Sequence, residues 1–172
     1  MKSRYAVLLV VLGCFLCGGS ALANICKTCP PPQVRTLYTF DGNAYPTGLV
    51  QDARGNFYGV DAAGGLNGCG AVFQLSNSNY FHMWGRTDIY QSQSDINTLN
   101  ATLVFDQAGA IYGTSLFSHS GGGTVFKLTN NRGSWSESIV YQFASYADSP
   151  TGGLLFDPYI RRYFSRIRER SC

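Results

Sequence analysis

The sequence predicts an all-β fold built from four-stranded antiparallel units, and three observations predict it. Charged residues make up only 13% of the 172. Twenty Gly, eleven Tyr and eleven Phe point away from helices, because Gly is costly inside a helix while aromatics fit a pleated, half-buried surface. Third, the chain repeats itself after fifty-odd residues, and internal repetition decides architecture before any single element does.

Residues 1–23 read as a signal peptide. Lys2 and Arg4 form a basic n-region, Tyr5 to Cys17 an apolar h-region, and Ala21-Leu22-Ala23 a small-residue cleavage site that leaves Asn24 first. The apolar run falls short of the about 20 residues a membrane span needs. Lipoprotein processing at Cys14 or Cys17 is the competing reading. Leu16 is too large for the residue preceding a lipidated Cys17, and cleavage before Cys14 leaves a very short h-region. The expectation is a secreted or cell-surface chain with no membrane span after cleavage.

Residues 24–36 form a Cys/Pro-rich leader. Cys26 and Cys29 have redox or metal spacing, but they precede Pro30-Pro31-Pro32 rather than a helix N-terminus that activates a thiolate. No second ligand pair is spaced for zinc. A local disulfide or plain linker cysteines is the simpler reading. Export permits disulfides, and the pairing among Cys26, Cys29, Cys69 and Cys172 stays open.

The repeats occupy residues 37–157. Val34–Phe40 resembles the last strand of a unit. Unit one covers 47–91, unit two 101–143, and a partial third 151–157. Thr47–Gly59 matches Ala101–Gly113 at offset 54, Gly70–Leu75 matches Gly123–Leu128 at offset 53, and Asp88–Gln91 matches Ile139–Gln142 at offset 51. In unit one the strands are Gly48–Asp52, Asn56–Val60, Ala71–Leu75 and Thr87–Gln91. In unit two they are Thr102–Asp106, Ala110–Ser115, Thr124–Thr129 and Ser138–Phe143. Gly55 and Gly109 stand where a tight hairpin needs positive φ. Asp52 and Asp106 stand at its start, where a carboxylate accepts turn N–H bonds. Four short strands at this period make a blade pattern. The fold class expected is therefore a partial β-propeller of about two four-stranded antiparallel blades plus the start of a third. A flat sandwich of two sheets is the alternative.

Asp52, Gly55, Asn56, Tyr58, Gly59, then Gly68-Cys69-Gly70 and Val72-Phe73-Gln74-Leu75, form a recognisable string. The second copy carries Asp106, Gly109, Tyr112, Gly113, Gly121-Gly122-Gly123 and Val125-Phe126-Lys127-Leu128. It departs at Ala110 and lacks the Cys. The string resembles the Gloeo/Verruco (GloVer) tandem repeat of exported bacterial choice-of-anchor proteins. The resemblance implies a secreted, propeller-like array with no established catalytic activity. Two features depart from an intact member. A closed propeller takes about 4–8 blades, and residues 158–172 abandon the pattern for an Arg-rich tail. Ile160–Phe164 read in a shifted frame resembles the missing second strand, so a frameshift product is expected there ahead of a basic binding arm.

Charge and site chemistry narrow the function. The net charge is +3, yet residues 24–158 hold six basic and nine acidic residues, a net of −3, so nothing supports nucleic-acid binding. Asp52 and Asp106 lack the spaced oxygen ligands and terminal Glu of a calcium loop. His82 and His119 are the only histidines. His119, Ser115 and Asp61 compose a triad on paper only, without a nucleophile elbow. A glycosidase or lyase needs a pair of carboxylates facing one pocket, and Glu137 and Glu169 are the only Glu. Tyr80, Phe81 and Trp84 form an aromatic loop that could contact a ligand. Trp84 also aligns with Trp135 at offset 51, and packing between units ranks ahead of binding for it. The reading is a non-catalytic secreted scaffold, without cofactor or metal, that binds carbohydrate or a surface protein. A propeller-enzyme fragment and a truncated product without independent function are the alternatives.

Overall fold

The computed structural model describes residues 5–10, 34–42, 44–66, 68–78, 83–92, 99, 102–116, 122–144, 150, 152–156 and 163–165. The cleavage site at Ala23, the leader cysteines Cys26 and Cys29, Tyr80, Phe81, His82, His119 and Cys172 lie outside the described residues. Every regular element among those described is a β-strand, as the composition predicts. In chain order they are β1 (Tyr5–Val10), β2 (Val34–Phe40), β3 (Pro46–Gln51), β4 (Phe57–Asp61), β5 (Ala71–Ser78), β6 (Met83–Gln91), β7 (Val104–Phe105), β8 (Ile111–Ser115), β9 (Thr124–Asn131), β10 (Ser134–Gln142), β11 (Leu154–Phe156) and β12 (Tyr163–Ser165).

Two antiparallel four-stranded sheets dominate, in the orders β3-β4-β5-β6 and β7-β8-β9-β10. Both are simple meanders, so each hydrogen-bonded neighbour is also the chain neighbour. The last two strands of each sheet carry a bulge at matched places. Register shifts between Val72 and Phe73 opposite β6, and between Ile139 and Tyr141 in β10. The two remaining sheets are pairs, β1-β2 and β11-β12. β1 lies within the segment expected to be removed as a signal peptide, and cleavage there would expose the edge of β2 that it pairs. β12 falls in the Arg-rich tail and pairs β11 in antiparallel register.

β5 and β9 run on to Ser78 and Asn131, past the expected Leu75 and Thr129, and three further boundaries differ for a physical reason. β6 and β10 begin four residues before the expected Thr87 and Ser138. Their inward positions include Trp84, Arg86, Asp88, Trp135 and Glu137, so polar inward residues hide the period-2 signal that apolar ones would give. Trp84 consequently lies in a strand, not in a loop. β7 pairs only Val104 and Phe105 with β8. Its edge continues as a bridge from Leu99 to Ser115, and Leu99 is fully buried.

Burial follows stacking of the sheets. Tyr58, Val60 and Val72 of the first sheet meet Leu99, Leu103, Ile111, Phe126 and Leu128 in one core cluster. On the opposite face of the first sheet, Phe57, Phe73 and Leu75 join Phe40 of β2 and Ala44. β4 and β8 are buried along their whole length, β4 between the second sheet and β2 and β8 between the first sheet and β11. A single meander could not achieve this, and stacking supplies the missing cover. Gly59 and Gly113 leave room for an aromatic ring of the next strand in their own sheets. A Cβ at Gly59 would come within 2.5 Å of Phe73 Cζ, and one at Gly113 would overlap the Phe126 ring.

An ion cluster sits in the layer between β2 and the first sheet. Arg86 Nη1 donates to Asp61 Oδ2 at 2.8 Å and Arg86 Nε to Asp88 Oδ1 at 2.7 Å. The guanidinium lies 5.2 Å from the Phe40 ring centre and 5.1 Å from that of Phe73. Asp61 is 2% exposed and also accepts from the Tyr45 N–H at 2.9 Å. Burial works against the Arg86 charge, but the bonds to Asp88 and Asp61 prevail and raise its pKa.

Candidate functional site

A groove of about 770 Å³ opens at the hairpin end of the junction between the two large sheets. One wall is the β3–β4 turn with Gln51, Asp52 and Arg54. The other is the β7–β8 turn with Asp106 and Gln107, together with the β9–β10 hairpin at Asn130 and Arg132. Tyr58, Phe105 and Trp135 line its apolar part. Tyr58 makes edge contacts with both rings, at 5.2 Å to Phe105 and 6.2 Å to Trp135. The size is within the range of about 300–1,000 Å³ usual for small-ligand sites.

The turns are held by their own aspartates. Asp52 Oδ1 accepts from the Arg54 and Asn56 N–H groups at 2.9 Å each. Its Oδ2 accepts from Asn56 Nδ2 at 2.9 Å and from the Tyr58 hydroxyl at 3.1 Å. Asp106 repeats the pattern with the Ala108 and Ala110 N–H groups and the Tyr112 hydroxyl. Gly55 and Gly109 close the turns with φ of +86° and +82°. A left-handed residue after a type I turn is the three-residue hairpin geometry that selects Gly. Burial acts to raise the Asp52 pKa, but the bonds from Asn56, Tyr58 and Arg54 outweigh it and hold the carboxyl below its ordinary range. Burial, then the neighbouring Asp52 charge, pushes the Tyr58 hydroxyl up to about 12. Tyr58 therefore stays neutral and serves as a donor throughout the physiological range.

Gln74 and Lys127, the matched positions of the two units, differ in a way that touches this network. Gln74 Nε2 donates to the Tyr58 hydroxyl at 2.9 Å. Its counterpart Lys127 instead reaches Asp106 Oδ2 at 3.9 Å and lies 5.2 Å from the Tyr112 ring centre. The Asp–Tyr pair is thus present in both turns, with an amide partner in one and a cation in the other.

The residues singled out from sequence fall in different places. Asp52 and Asp106 flank the groove, and Gly109 lines it. Trp84 is half-buried and packs its ring 5.3 Å from Phe57, on the side of the first sheet away from the groove. Asp61 is committed to Arg86, and Ser115 shares a 2.7 Å hydrogen bond with Thr124, so neither stands ready for a triad. Cys69 is half-buried in the 62–70 loop. Among the described residues, no three His, Cys, Asp or Glu side chains gather as metal ligands would. The sequence reading missed Phe105, Trp135, Arg54 and Arg132 as a set, because they come from three separate hairpins. One local signal was available. Arg132-Gly133 forms a two-residue β9–β10 turn, where Asn-Gly is the strongly preferred pair.

Compared with protein-family models, with curated proteins and with solved structures, the chain matches none.

Proposed function

We propose that this chain is a non-catalytic extracellular scaffold of propeller-type units that binds carbohydrate in the groove between successive units. The observation that carries this reading is the groove itself, which sets three aromatic rings beside amide and guanidinium side chains. Aromatic faces take the apolar side of a sugar ring, while Gln51, Gln107 and Asn130 offer donors and acceptors to hydroxyls. A few placed polar groups around an apolar floor is the usual composition of a ligand site.

The same geometry favours binding over hydrolysis. A glycosidase needs two carboxyl groups with free oxygens facing the substrate. In the groove both carboxylates, Asp52 and Asp106, have each oxygen engaged by turn or tyrosine donors. The propeller reading is supported by face-to-face stacking of two matched meanders and by β2, which covers the first sheet as the last strand of a preceding unit would. The resemblance to the GloVer repeat and the basic, apolar N-terminus support an exported scaffold. Oligosaccharide binding measured by calorimetry tests the function. Trp135→Ala should weaken binding about tenfold or more, with circular dichroism unchanged. Equal affinities in the wild type and in the Trp135 variant would remove the groove from the account.

A further inference from the structure

Among the groove's charged side chains, the acids and the bases are not in equivalent situations. Asp52 and Asp106 face their own turns, and their charge is met by backbone N–H groups and tyrosine hydroxyls. Arg54 and Arg132 are exposed at the tips of opposing hairpins, and neither has an ion-pair partner among the described residues. The charge left over for a ligand is therefore cationic.

The backbone at Arg132 adds an independent observation. Asn131 pairs with Ser134, so Arg132 and Gly133 alone form the turn, with φ of +54° and +96°. Two residues in left-handed conformation define a type I′ hairpin, whose first position favours Asn, Asp or Gly. Arg132 is the only non-Gly residue with positive φ among those described. Asn130 Oδ1 accepts the Gly133 N–H at 2.7 Å, which fixes the turn with the arginine at its tip. A residue held in a disfavoured conformation beside a groove points to a role for its side chain.

We infer that the groove selects an acidic sugar chain, one whose residues carry carboxylates, with Arg54 and Arg132 as the carboxylate-binding groups and Trp135 and Phe105 beneath the sugar rings. This rests on the carbohydrate-binding reading above. A planar carboxylate matches the guanidinium fork, and such charge-assisted pairs are stronger than neutral hydrogen bonds. Among the described lining groups only the two arginines supply a free positive charge, so they set the choice between acidic and neutral sugars.

Oligogalacturonate and its fully methyl-esterified form have the same rings and differ in charge. Titrating each into the full chain by calorimetry should show the acid binding about tenfold or more tightly than the ester. Arg132→Asn should erase most of that difference. The same substitution installs the preferred turn residue, so the melting temperature should hold or rise by a few degrees. Loss of affinity with gain of stability cannot come from a damaged fold. If ester and acid bind equally and Trp135→Ala weakens both, the groove holds sugars but the acidic preference is overturned. Unchanged acid binding in Arg132→Asn and in Arg54→Gln would overturn it as well. If neither oligosaccharide binds, this inference falls and the carbohydrate reading loses its support from this class of sugar.

Discussion

Replacing Arg86 by Leu should cost about 3–5 kcal/mol of stability, the range for removing one partner of a buried ion pair. The magnitude follows from what is left behind. Asp61 is 2% exposed, and its Oδ2 loses the 2.8 Å bond from Arg86 Nη1, while Oδ1 keeps the Tyr45 N–H. The cation over the rings of Phe40 and Phe73 adds about 0.5–2 kcal/mol, which the apolar contact of Leu partly replaces. Asp88, with its side chain 23% exposed, returns to solvent at little cost. A domain of ordinary stability has about 5–15 kcal/mol in total, so a large part of it depends on this one side chain. Urea unfolding followed by far-ultraviolet circular dichroism is the assay. With a urea slope of about 1–3 kcal/mol per molar, the midpoint should fall by about 2 M. Asp61→Asn placed in the Arg86→Leu background should recover most of the loss, because the uncompensated charge is then gone. A single variant within about 1 kcal/mol of wild type, or a double variant worse than the single, would show that Asp61 does not depend on Arg86 for its charge.

Gly113→Ala forces a methyl group into the Phe126 ring and against Leu103, so it should lower stability by about 1–3 kcal/mol; the pair Gly113→Ala with Phe126→Leu should recover part of this, measured by the same unfolding curve. Glu137 has one oxygen buried without a hydrogen-bond partner and the other accepting from the Tyr90 hydroxyl at 2.8 Å. Burial raises its pKa, with the Tyr90 bond partly offsetting this. The folded state therefore holds the proton more tightly than the unfolded one, and stability falls as pH rises from the ordinary glutamate range through the raised value. In Glu137→Gln that decline should vanish from midpoints measured between pH 4 and pH 7. On β10, Ile139, Val140 and Tyr141 are 47%, 45% and 57% exposed, whereas Ile89 and Tyr90 on β6 pack against the core of the second sheet. Stacking on a further sheet would cover them, so the chain should self-associate with concentration, and Tyr141→Lys should reduce the mass seen by light scattering at high concentration.

Composition and hairpin chemistry carried the strand order, and the reason is visible at particular residues. Asp52, Gly55, Asp106 and Gly109 are local signals, since the turn they make involves only five neighbouring positions. β4 and β8 read clearly because aromatic, β-branched and small residues crowd into short segments between glycines. The first residues of β6 and β10 escape the sequence pattern because Arg86 and Glu137 point inward. Their polarity is offset by Asp61 and Tyr90, which lie 25 and 47 residues away, and no local pattern reveals that partnership. The groove was hidden for the same reason. Arg54, Phe105 and Arg132 sit on three hairpins, and only stacking of the two sheets brings them to one rim. Trp84 shows the converse: its alignment with Trp135 at offset 51 favours packing over ligand contact, and in the fold its ring lies 5.3 Å from that of Phe57.

The two tryptophans make the central claim directly measurable, because Trp135 lines the groove and Trp84 packs on the far side of the first sheet. Their indole N–H resonances in a nitrogen-labelled sample of the full chain can be followed while oligogalacturonate is added. Sugar in the groove should give a saturable shift of the Trp135 signal together with the amides of Arg54, Gln107 and Arg132, and a stationary Trp84 signal. A shift centred on Trp84, with Trp135 unmoved, would place the sugar on the opposite side of the sheet and contradict the account.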